Sequence, residues 1–168
     1  MKNLWLWIVA GLAFVFLGKK AQAQGVGAIL PGFQTRNQKN NNPGNLRISK
    51  DPWVGLRPEQ TDPEYFQFVD LYHGWRAMGI TLLNYQHRYG LRTISAIVSR
   101  WAPPNENNTR EYIADVSKRL GLDPAQPFDL RGRLSDLMRA MATHEGGAWP
   151  AVDPERARAT ASALGAVV

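Results

Sequence analysis

Cysteine is absent from this 168-residue sequence, which excludes a disulfide framework, a thiolate metal site and a cysteine nucleophile together. Histidine is nearly as scarce. Its three copies, His73, His87 and His144, stand far apart, and His144-Glu145 is followed by Gly146, Gly147 and Ala148, so no His-Glu-x-x-His zinc pair exists. Ser49, Ser95, Ser99, Ser117 and Ser135 sit in no Gly-x-Ser-x-Gly elbow. There is no internal repeat, and the run Asn40 to Asn42 is the one stretch of low complexity. Any catalysis must therefore rest on carboxylates, imidazoles or hydroxyls, and neither a metal nor a cofactor is expected.

What is present describes one ordinary domain. Hydrophobic residues make up 44% and charged residues 20%, which is globular in composition and leaves little room for a second domain. The formal charge is +6, but Lys2, Lys19 and Lys20 supply half of it, leaving +3 for the rest of the chain. That mild excess suits a polyanionic envelope. Nucleic acid is not expected as a partner, because the basic residues are scattered and no reading motif accompanies them.

Residues 1–23 read as a targeting segment. Lys2 precedes an apolar run from Leu4 to Leu17, and Ala21-Gln22-Ala23 puts small residues where a signal peptidase cuts. Lys19 and Lys20 beyond the run, with Trp5 and Trp7 inside it, fit an uncleaved membrane anchor as well as a signal peptide. As a helix the run spans roughly 21 Å against a hydrocarbon core of roughly 30 Å. Either way the expectation is export to the periplasm or cell envelope, or attachment to a membrane through Leu4–Leu17. Residues 24–36, with Gly25, Gly27, Pro31 and Gly32, read as a flexible linker, and residues 37–168 as the functional domain.

Within that domain the apolar spacing predicts helices. Trp75, Met78, Leu82, Tyr85 and Tyr89 form one face of a helix from His73 to Tyr89 that Gly90 ends. Ile94, Ile97, Val98 and Trp101 place a second over Thr93 to Trp101, stopped by Pro103-Pro104. Asn108 with Glu111 caps a third, whose face is Tyr112, Ile113, Val116 and Leu120 and whose end is Gly121. Two more are expected over Leu134–His144 and Pro154–Leu164. Between Arg47 and Val69, Pro52, Pro58 and Pro63 allow a short hairpin or extended chain. The class is mainly α.

One carboxylate falls where a hydrophobic residue belongs. Leu134, Leu137, Met138 and Met141 form the apolar stripe of the fourth helix, and its next position is Glu145. A carboxyl on that face is desolvated, and it also meets the negative end of the helix dipole. Both effects favour the protonated form, which a general acid needs to donate to a glycosidic oxygen. The same spacing is compatible with a helix-end glutamate turned to water. His144 reads as a structural hydrogen-bonder or as a second catalytic group.

Three motifs carry a resemblance. Asn40-Asn-Asn-Pro-Gly-Asn-Leu-Arg47, Trp101-Ala-Pro-Pro-Asn-Glu-Asn-Asn-Thr109 with Tyr112, and Ala140-Met-Ala-Thr-His-Glu-Gly-Gly147 together resemble phage virion and prophage proteins related to lytic transglycosylases and goose-type lysozyme. The likeness covers residues 37–150. In ordinary lytic transglycosylases the glutamate motif comes first, whereas here it comes last, so the chain resembles a circular permutation of that fold.

The resemblance implies a lysozyme-like helical domain acting on peptidoglycan. It gives Glu145 the role of the single acid/base, puts Asn45 in the cleft near the N-acetyl sugar, and brings Tyr112 to the acid or the substrate acetamido group. Asn42, Trp101 and His144 are further substrate-binding candidates. Asn42-Pro-Gly-Asn45 also suits a plain tight turn, and Trp101 a core position. Gly146 departs from the His-Glu-Asn-Gly common in related phage sequences. Of the other acids, Glu106 lies in a polar loop and Asp153 looks like a helix cap. A single acid favours a lytic transglycosylase. The alternatives are a muramidase or peptidoglycan endopeptidase of the same fold, or a non-catalytic glycan-binding protein assembled with other virion proteins.

Overall fold

Each helix begins and ends at residues suited to its backbone. In the computed structural model, which describes residues 34–105 and 107–167, helix α2 (Leu71–Tyr89) starts where the Asp70 carboxylate accepts from the His73 amide. It stops at Gly90, whose φ of 65° is the left-handed conformation glycine adopts without strain. Thr93 caps α3 (Ile94–Trp101), Asn108 caps α4 (Thr109–Leu120), and Asp153 caps α6 (Pro154–Ala166) with Pro154 in the first turn. Helix α5 (Leu134–His144) follows a 3-10 turn over Arg131–Arg133 that spacing does not announce. Three boundaries differ from expectation: α2 begins two residues earlier, after the Asp70 cap, α3 begins one residue later because Thr93 is its cap, and α6 runs two residues further, to Ala166.

The domain is mainly helical, with α2 packed along α6 and α5 and with α3 and α4 closing the other side. The core takes Trp75, Met78 and Leu82 from α2, Ile97 and Val98 from α3, Val116 from α4, and Leu137, Met138 and Met141 from α5. Each large apolar side chain buried in this way stabilises the fold by about 1.5–3 kcal/mol. Among the described residues no helix is long and apolar enough to cross a membrane. The leader, with its Leu4–Leu17 run, lies outside the described residues, as do Glu106 and most of the linker.

The last residues of the expected linker belong to the fold. Arg36 opens a short helix, α1 (Arg36–Lys39), and its guanidinium pairs with Asp62 and Glu64, both at 2.6 Å. Thr35 donates its hydroxyl to the Gly146 carbonyl at 3.3 Å, joining α1 to the corner that follows α5.

Between α1 and α2 the chain is extended, with two isolated antiparallel bridges, Arg47 to Tyr65 and Leu56 to Phe68. Its own small cluster, Phe66, Phe68 and Ala77 with Leu46, Trp53 and Leu56, fixes it against α2. Two glycines let this segment approach the helices. A Cβ on Gly74 would stand 1.9 Å from the Asn41 carbonyl oxygen, and one on Gly44 would stand 2.7 Å from Cζ2 of Trp101. The turn at 41–45 is thereby seated on α2 and against α3, which brings Asn45 to the end of α5.

Candidate active site

Glu145 is the C-cap of α5, at the helix's negative end, and its carboxyl is held by three donors from three other segments. Asn45 Nδ2 donates to Oε2 at 3.1 Å. Trp101 Nε1 and the Tyr112 hydroxyl donate to Oε1 at 3.2 and 2.9 Å. Burial raises the Glu145 carboxyl above the ordinary carboxylate range, and the hydrogen bonds from Asn45, Tyr112 and Trp101 pull against it without cancelling it. The phenol of Tyr112, fully inside and facing that carboxyl, is pushed well above its usual range by desolvation and then by Glu145.

The positions of these donors follow from local sequence. Asn45 adopts a left-handed φ of 48°, a conformation asparagine tolerates better than most residues, and its amide N–H is tied to the Asn42 carbonyl at 3.0 Å. Trp101 is half-buried at the last turn of α3, and Tyr112 points inward from the first turn of α4. Tyr112 has one proton and two acceptors in reach, Glu145 Oε1 and the Met141 carbonyl at 3.3 Å. When Glu145 is ionised the phenol donates to it. When Glu145 holds a proton, the carboxyl can donate to the phenol oxygen while the phenol turns to Met141.

His144 supports Tyr112 from behind. The two rings stack with centroids 3.8 Å apart, and His144 Nδ1 lies 3.0 Å from Asp115 Oδ2. Burial works upward on the Asp115 carboxyl, but hydrogen bonds from Arg119 and His144 together outweigh it and hold the group below its ordinary range. Asp115 was not singled out from sequence. The available signal was its place on α4, three residues after Tyr112 and so on the same face.

The chain has a phage relative. It is 36% identical over 97 residues to Protein P5 of Pseudoalteromonas phage PM2, an alignment taking in 56% of this chain. The chain spans 61% of that protein's length, and no family model matches.

Of the candidate residues, Asn45, Trp101 and Tyr112 meet at Glu145, with His144 one layer back. Asn42 does not join them, and the substrate-binding role expected for it is corrected. Its side chain is wholly buried, donating to the carbonyls of Leu46 and Phe66 at 3.0 and 2.9 Å and accepting from the Leu46 amide at 2.9 Å. Every side-chain bond available to it goes to backbone, so it shapes the turn that presents Asn45. Asp153, weighed as a second acid, caps α6, and Glu106 lies outside the described residues. Among the described residues no group of three or more His, Asp or Glu is arranged to hold a metal ion.

Proposed function

We propose that this chain cleaves the glycan strand of bacterial peptidoglycan, as a lytic transglycosylase with Glu145 as its one acid/base. The observation that carries the reading is a desolvated carboxyl gripped by Asn45, Trp101 and Tyr112, a site too costly to keep for structure alone. Protonated Glu145 donates to the oxygen leaving muramic C1, and the bond from C1 to that oxygen breaks. The carboxylate then accepts the proton of the same sugar's 6-hydroxyl as its oxygen bonds to C1. The product carries a 1,6-anhydro end, and Glu145 is protonated again. Export to the cell envelope, or attachment there by the leader, would place the enzyme beside this substrate, and the phage relative fits a role in entering or leaving a bacterium.

Mass spectrometry of material released from purified peptidoglycan tests the reading directly. Anhydro ends are expected. Reducing ends would mark a muramidase, free peptides an endopeptidase, and an undigested wall a glycan-binding protein without catalysis.

Tyr112→Phe removes the shortest hydrogen bond to the acid. Its expected cost is about 1–3 kcal/mol of transition-state stabilisation, a rate loss of roughly ten- to a hundredfold with little change in melting temperature. The pH profile has a defined sign. Activity requires the protonated acid, so the rate falls as pH rises through the Glu145 pKa, above the ordinary carboxylate range. Because the phenol stabilises the charged form, Tyr112→Phe should move that alkaline limb to higher pH. A limb that stays in place, or moves down, would detach Tyr112 from the acid.

A further inference from the structure

Beside the acid, a row of aromatic rings on α2 and α3 runs from Trp101 away from Glu145. Tyr85 meets Trp101 edge to face at 6.2 Å, and Tyr89 meets Tyr85 in the same way at 6.4 Å. The guanidinium of Arg100 lies 3.7 Å above the Tyr89 ring and 5.0 Å from that of Tyr85. Tyr85 and Trp101 pack against the core, whereas Tyr89 is 54% exposed and carries the row out to the surface. No acidic side chain among the described residues pairs with Arg100.

We propose that Arg100 is a specificity residue that pairs with a carboxylate carried by the sugar strand next to the bond being cut. This rests on the glycan-cleaving reading of Glu145 and names the chemical feature by which the site chooses its polymer. Stacking on Tyr89 and a hydrogen bond with the Tyr85 hydroxyl fix a side chain that would otherwise lose rotamer freedom on binding, and a guanidinium carries further N–H donors beyond that bond to offer a carboxylate. Arg100 lies 5.0 Å from the Tyr85 ring, which meets the Trp101 indole that touches the acid, so a strand running from Glu145 along these rings reaches Arg100. A muramic residue bears a lactyl carboxylate, or a peptide ending in carboxylates, whereas a plain N-acetylglucosamine polymer bears neither. Tyr89 offers an apolar wall for the sugar while holding the guanidinium level.

Binding in the full chain carrying Glu145→Gln separates this from catalysis, with purified peptidoglycan sacculi and a neutral N-acetylglucosamine oligomer as the two probes. Arg100→Gln is expected to weaken sacculus binding about tenfold and to flatten its salt dependence, with oligomer binding unchanged. Tyr89→Ala should weaken sacculus binding in the same direction, and Tyr89→Phe should keep it, because the ring and not the hydroxyl supports the arginine. Wild-type sacculus affinity in Arg100→Gln overturns the proposal. So does an equal loss for both probes with a lowered melting temperature, the signature of a clamp between helices. A Glu145→Gln parent that binds neither probe overturns the peptidoglycan reading itself, and Arg100 with it.

Discussion

Glu145→Gln is expected to reduce wall degradation by about 10²–10⁴-fold while the domain stays folded, measured as soluble material released from sacculi alongside a thermal melt. The amide keeps the shape of the side chain and has no transferable proton. It also fits the surrounding donors. Its oxygen can accept from Tyr112 and Trp101, and its nitrogen faces Asn45, whose Oδ1 is buried without a partner. Rotating the Asn45 amide turns Oδ1 toward the new N–H, which avoids a clash of donors and leaves Nδ2 where the unpartnered oxygen had been.

The stability change has its own sign. Folding raises the Glu145 pKa, so the folded state favours the protonated form, and the ionised side chain costs stability. That penalty grows as pH rises from the unfolded carboxyl's pKa through the higher folded one and persists above it. Glutamine does not ionise, and the variant should melt at or above the wild-type temperature near neutral pH. Activity above a tenth of wild type would remove Glu145 from the mechanism.

Asn42→Ala is expected to have the largest effect on stability, about 3–5 kcal/mol, read as a fall of about 10 °C or more in melting temperature. The substitution removes one acceptor and two donated bonds at a site with no access to water, stranding the Leu46 amide and weakening the Leu46 and Phe66 carbonyls. Those backbone groups hold the 42–45 turn in shape. Asn45 keeps its left-handed φ through that turn, so the folded fraction should also lose activity as Asn45 drifts from Glu145. A melting temperature within a few degrees of wild type would show that water or backbone shifts satisfy the stranded groups.

These two asparagines show what is legible in such a sequence. The Asn42-Pro-Gly-Asn45 pattern announces a turn, and turn chemistry alone cannot say which asparagine looks inward to the backbone and which outward to an acid. That choice depends on Gly74 and Gly44, which seat the turn against α2 and Trp101 from positions distant in sequence. Helices α2, α3, α4 and α6 were readable because each starts at a capping residue, and α5, which has no capping side chain, was readable from its apolar stripe, which places Glu145 on the inner face. Helix α1 was not readable. Four residues show no period, and what holds them is tertiary, the Arg36 pairs with Asp62 and Glu64 and the Thr35 bond to Gly146. The pairing of His144 with Asp115 escaped for a similar reason, since it joins two helices whose relative placement no local pattern encodes.

The three hydrogen bonds to the Glu145 carboxyl cross 100, 44 and 33 residues of chain. None of them can form within a single helix or a local turn, so this buried, hydrogen-bonded carboxyl comes into being only when the separate segments dock. A collapsed intermediate with every helix in place but the 41–45 turn undocked would hold an ordinary, solvated glutamate. The raised pKa of Glu145 is thus a property of tertiary docking and not of the helix that carries it. Under the proposed function, an unfolded chain lacks the buried acid, and activity arrives in the same cooperative transition that makes the domain stable.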